Sequence, residues 1–90
     1  MKSEADRDNF LSFCDLIFDL MDEFNISVSS WIRTPKHNKD VGGKINSKHL
    51  DGLGLDIILD NPKDKAKFCK RVNEMGLHCL DESDHIHVQV

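Results

Sequence analysis

Between residues 53 and 60 the chain alternates: Leu53, Leu55, Ile57 and Leu59 fall on one side, Gly54, Asp56, Ile58 and Asp60 on the other. A two-residue period is the mark of a strand, because successive side chains leave a pleated backbone on opposite faces. A helix would scatter the same residues around its whole circumference. The segment therefore demands a sheet with an apolar face that must be covered, and it turns Asp56 to the face away from that cover. The rest of the chain has to supply the cover and the neighbouring strands.

Two segments fit the covering role. Phe10, Phe13, Cys14, Ile17, Leu20, Met21 and Phe24 recur at helical spacing, with Asp15, Asp19, Asp22 and Glu23 between them, which predicts an amphipathic helix. Leu11 and Phe18 fall outside its stripe and are expected to be exposed. Asn61-Pro62 starts another helix, with Asp64 in its first turn; Phe68, Cys69, Val72 and Met75 are its apolar stripe, and Gly76 ends it. Strand partners are expected at residues 26–32 and 85–90. In the first, Ile26, Val28 and Ile32 alternate with Ser27, Ser29, Trp31 and Arg33, which are expected on the face away from the helices. In the last, Ile86, Val88 and Val90 form the buried set and His85, His87 and Gln89 share the other face. Thr34-Pro35 offers an N-cap and a helix-first proline, and Val41-Gly42-Gly43 closes a helix of about two turns at most. Residues 77–80 lead into a turn through Asp81-Glu82-Ser83-Asp84. The expected fold is α+β: a small antiparallel sheet with helices packed on one face and a metal cleft on the other.

At 90 residues the chain is read as one domain, residues 1–90. A chain of this size buries only about 60 to 65% of its unfolded surface, so the core is thin. With 39% hydrophobic and 31% charged residues, it has the composition of a globular domain rather than of a disordered or membrane-spanning one. The net charge is −4 and the basic residues are scattered, which argues against a nucleic-acid surface. The charged start Met1-Lys2-Ser3-Glu4-Ala5-Asp6-Arg7-Asp8 does not read as a signal peptide, and no run of about 18 apolar residues exists. The chain is expected to be made in the cytoplasm and to stay there until something releases it. Cys14, Cys69 and Cys79 are odd in number and lack CxxC spacing, so all are expected to be reduced, buried thiols.

The uncovered face collects groups that bind metals. Asp56 lies on the central strand, His49 in the loop before it, and His85 and His87 on the last strand. Imidazole with carboxylate suits a borderline divalent ion, and a catalytic zinc takes about three protein groups and leaves one position to water. Gly52 and Gly54 are expected to let the backbone come close to such an ion. Each piece is weak alone: a His-x-His pair is usually a solvated strand face, and an Asp beside a His usually satisfies a turn. His37 and His78 read as structural or surface residues, and Gly42-Gly43 as a helix stop rather than a phosphate loop.

The combination is more specific. Ser47-Lys48-His49-Leu50-Asp51-Gly52-Leu53-Gly54-Leu55-Asp56 resembles the SxHxxGxAxD signature of the zinc D-alanyl-D-alanine carboxypeptidases and related peptidoglycan peptidases, phage endolysins among them. Ser30-Trp31-Ile32-Arg33-Thr34-Pro35, Asn38 and Val41-Gly42-Gly43 resemble the family's lead-in, and His85-Ile86-His87-Val88 is similar to its HxHV element. The resemblance runs in order over residues 26–90. It implies one zinc ion held by His49, Asp56 and His87, with Arg33 steadying the scissile carbonyl or a substrate carboxylate. Asp84, three residues before His87, is implied as general base. A competing Glu-x-x-His reading makes His85 the ligand and Glu82 the base. The HxHV frame favours His87 and leaves His85 to hydrogen-bond the reacting oxygen or shuttle a proton. Ser47 and Trp31 join Arg33 as expected substrate contacts.

The implied reaction is hydrolysis of a D-alanine-containing or other amide bond of the peptidoglycan stem peptide by a metal-activated water. The implied partner is that peptide, with neither nucleic acid nor membrane. An enzyme of this kind reaches the wall only after release from the cytoplasm, as a lysis enzyme does. Trp31 stands where relatives usually have glycine, Ile32 where they often have tyrosine, and Gly54 where alanine is usual; Trp31 is expected to narrow or reshape the cleft. The alternative function is a non-catalytic zinc-binding module that holds a wall peptide.

Overall fold

The alternating segment becomes the inner strand β2 (Gly54–Leu59) of a four-stranded antiparallel sheet. The computed structural model describes residues 4–90. Around β2 run α1 (Glu4–Glu23), β1 (Ile26–Ser30), α2 (Pro35–Asp40), α3 (Lys65–Glu74), β3 (His78–Asp81) and β4 (Ile86–Gln89), with short 3-10 turns at Lys48–Leu50 and Pro62–Asp64. The strand order is β1-β2-β4-β3. Asp56 is paired directly with His87 and Gly54 with Gln89 across β2 and β4. This register puts a carboxylate and an imidazole side by side on one face.

The other face is the core. Leu55 and Ile57 of β2 and Ile86 and Val88 of β4 meet Phe13, Ile17 and Leu20 of α1 and Phe68 and Val72 of α3, all buried. Burial of each such side chain contributes about 1.5 to 3 kcal/mol, and this shared layer fixes which way the sheet faces. Leu11 and Phe18 are exposed as expected; Met21, at the margin of the helical stripe, is also largely exposed. Phe24 meets Phe68 edge-on at 5.4 Å, joining the end of α1 to α3. Thr34 caps α2 by accepting the His37 amide at 3.1 Å, with Pro35 in the first turn. Gly76 closes α3 in the left-handed region (φ 82°).

Ile32 and Val90, expected in the buried sets, are exposed at the strand ends, and two further expectations fail. Val28 pairs with Ile57 but Ser30 pairs with Asp56, so β1 spends an extra residue, Ser29, against β2. Such a bulge reverses which face the following side chains take. Trp31 is therefore turned to the helix side, where its ring lies 6.2 Å from Phe13 and 6.0 Å from Phe10, rather than to the open face. The cysteines are the second correction: Cys69 of α3 and Cys79 of β3 form a disulfide, and Cys14 alone is a free thiol among the described residues. Their Cα atoms are 5.6 Å apart, because the chain turns back at Gly76 and lays β3 beside α3. An odd total concealed one pair plus one leftover. Among the described residues no helix is long and apolar enough to cross a membrane.

Candidate metal centre

His49 owes its position to a local turn. Ser47 caps the 3-10 turn by accepting the His49 amide at 3.2 Å, and the His49 carbonyl accepts the Arg33 amide at 3.0 Å. The turn is pressed onto β2: a Cβ on Gly54 would lie 2.7 Å from the Lys48 Cβ, so the approach needs glycine there. Gly52, by contrast, abuts Phe10 in a left-handed conformation (φ 71°) and serves the α1 contact rather than the site.

The side chains of His49, Asp56 and His87 converge, with one donor atom from each within 4.8 Å of the others. Asp56 Oδ1 is 3.2 Å from His49 Nε2 and 3.0 Å from His87 Nδ1. Atoms bound to one tetrahedral zinc at about 2.0 to 2.2 Å lie roughly 3.3 Å apart, so this spacing matches a coordination edge. The hydrogen-bond partners are compatible with this. His49 Nδ1 lies 2.6 Å from the Trp31 carbonyl, which only accepts, so Nδ1 carries a hydrogen and Nε2 is the nitrogen turned to the site. There it faces a carboxylate oxygen, an acceptor. A proton or a cation must lie between the two, and the donor set fits a zinc ion.

Arg33 stands on the other carboxylate oxygen, its Nη2 3.5 Å from Asp56 Oδ2. It also donates to Asn38 Oδ1 at 3.2 Å and to Ser30 Oγ at 3.4 Å, while its Nε is buried without an acceptor. His85 brings Nε2 to 3.8 Å from Asp56 Oδ1 and bonds Asp84 through Nδ1 at 2.6 Å. That bond, and then the imidazole charge, holds the Asp84 carboxyl below the ordinary carboxylate range. Arg33, Asp56, His85 and the two histidines of the cluster border a cleft of about 460 Å³ that also takes in Lys48, Glu82 and Gln89.

A family model described as peptidase M15 matches residues 3–89. The chain belongs to the peptidase M15 family. No curated protein and no solved structure matches it. M15 enzymes are zinc metallopeptidases, and the acceptor-lined pocket found here can hold their metal.

Within this M15 chain the remaining expected residues divide. Ser47 and Arg33 line the cleft, and Ser47 also positions His49. Trp31 does not line it: its indole nitrogen donates to the Gly52 carbonyl at 2.9 Å, and its own carbonyl orients His49. Asp84 is highly exposed and borders a separate small groove, reaching the cluster only through His85. Glu82 borders the main cleft. Two residues had no role assigned from sequence. Asn38 is almost fully buried, accepting from Arg33 and donating to the Lys44 carbonyl at 2.7 Å. A Cβ on Gly43 would sit 2.0 Å from its Oδ1, which explains the glycine that follows Gly42. Gln89 bonds His87 Nε2 at 2.8 Å. Its place two residues along the same strand face was the available signal.

Proposed function

We propose that this chain is a zinc-dependent peptidase that hydrolyses an amide bond of the peptidoglycan stem peptide, D-alanine-containing or otherwise. The observation that carries the reading is the convergence of His49, Asp56 and His87 beside Arg33 and His85 on one open cleft, with Asp84 bonded to His85 from outside it. When bound, the ion supplies Lewis acidity and makes water a nucleophile near neutral pH. His49, Asp56 and His87 would hold it, and the cleft beside them is open to substrate.

The chain's own groups do the rest. Arg33 is anchored by Asn38 and Ser30, so its guanidinium is already in place to stabilise charge on the carbonyl oxygen of the bond being cut. His85 Nε2 faces the cluster and takes the proton of the attacking water, then returns it to the leaving amine; such transfer contributes about 10²- to 10⁴-fold. Asp84 acts through His85, fixing its Nδ1 and stabilising the imidazolium.

Purified protein incubated with zinc and bacterial wall sacculi is expected to release stem-peptide fragments that mass spectrometry identifies, and Asp84→Ala is expected to keep its zinc but lose most hydrolysis. Intact sacculi with a zinc-loaded wild type would instead support the non-catalytic wall-binding module.

A further inference from the structure

We infer that Gln89 is the positioning residue that makes His87 meet the metal through Nδ1, opposite to the nitrogen His49 presents. The inference rests on the metal reading above. His49 is oriented by a main-chain oxygen: Trp31 takes its Nδ1 hydrogen at 2.6 Å, and Nε2 faces Asp56. His87 is arranged the other way round, with Nδ1 3.0 Å from Asp56 Oδ1 and Nε2 2.8 Å from Gln89 Oε1.

The strand register produces this. His87 lies directly across from Asp56, and Gln89, two residues on and on the same face, lies across from Gly54. Because Gly54 has no side chain, the His87 ring settles over it; a Cβ there would lie 3.2 Å from Cε1 and 3.3 Å from Nε2. The ring's Nε2 edge is thereby led along β4 to the Gln89 amide, and its Nδ1 edge is left facing Asp56. An amide oxygen on Nε2 keeps the hydrogen there, fixes the ring's rotation and makes Nδ1 a better donor. Among the described residues Gln89 hydrogen-bonds no other side chain of the cluster, so its influence passes through His87.

Zinc affinity is measured by competition with a chelating dye on wild type, Gln89→Leu and Gln89→Glu, each checked for folding by circular dichroism. Gln89→Leu is expected to bind zinc about 10- to 100-fold more weakly, and Gln89→Glu, which still offers an oxygen to Nε2, to restore most of the loss. In ¹⁵N spectra of the zinc-loaded wild type, His87 is expected to carry its proton on Nε2; this readout needs no variant. A proton on His87 Nδ1, or wild-type zinc affinity in Gln89→Leu, overturns the inference while leaving the metal site standing. A wild type that takes up no zinc overturns both.

Discussion

The two faces of β2 are built by opposite rules. Leu55 and Ile57 are wholly buried and are held by area alone, each exchanging water for the apolar sides of α1 and α3. Asp56, between them in sequence and opposite them in space, is held by directed contacts to His49, His87 and Arg33. The core face is set by volume, and so tolerates a change of shape at a graded cost. The cleft face is set by which atoms accept and which donate, and one missing charge changes its character altogether.

The largest test of that contrast is Asp56→Asn. The amide keeps the shape but removes the charge shared by both histidines, and zinc uptake by elemental analysis and sacculus hydrolysis are expected to fall to background. A variant that stays loaded would mean that the face does not depend on this carboxylate. Next comes the Cys69→Ala/Cys79→Ala pair, on neither face. The bridge closes a loop of ten-residue separation, so its loss is expected to lower the urea-unfolding free energy by about 2 to 3 kcal/mol while zinc affinity at 25 °C is unchanged. On the core face, Ile57→Val is expected to cost about 0.5 to 1.5 kcal/mol, again with unchanged zinc affinity; a parallel loss of affinity would show the two faces to be coupled.

The smallest effect is electrostatic and tied to pH. Lys65 bonds Asp81 at 3.0 Å, and this bond, followed by the Ser83 amide, lowers the Asp81 pKa. A carboxyl depressed in the folded state adds stability above its unfolded pKa of about 3.9 and loses it as pH falls through the folded value. Lys65→Met is therefore expected to shift the urea midpoint slightly at neutral pH and not at all once both forms are fully protonated. A gap that persists at the acid extreme would assign the effect to packing. Both groups are well exposed, so the shift is expected to shrink with added salt.

The features legible in the sequence were those written as periodicity. The alternation around Asp56 and the stripes of α1 and α3 predicted the covered face, because burial is repeated at the spacing of the element that buries it. What escaped lies where one residue breaks the period or where distant segments meet. Ser29 looks like any strand serine, yet as a bulge it sends Trp31 to the core. Cys69 and Cys79 gave no spacing signal, since only the return of β3 beside α3 brings them together. β3 has one partly buried residue, Cys79, and too little alternation to be recognised. At the site, the convergence of His49, Asp56 and His87 was legible, but their orienting partners were not. A main-chain carbonyl such as that of Trp31 has no residue type to read, and the turn through Ser83 (φ 72°) sends the Asp84 carboxylate outward where a motif letter alone implied contact.

That carbonyl has an evolutionary consequence. Every amino acid at position 31 supplies the same main-chain oxygen, so no single codon change deletes the acceptor that steadies His49. The amide that steadies His87 belongs to a side chain and can be exchanged in one step. Natural drift that loosens the orientation of these two imidazoles should therefore surface at position 89 and not at position 31.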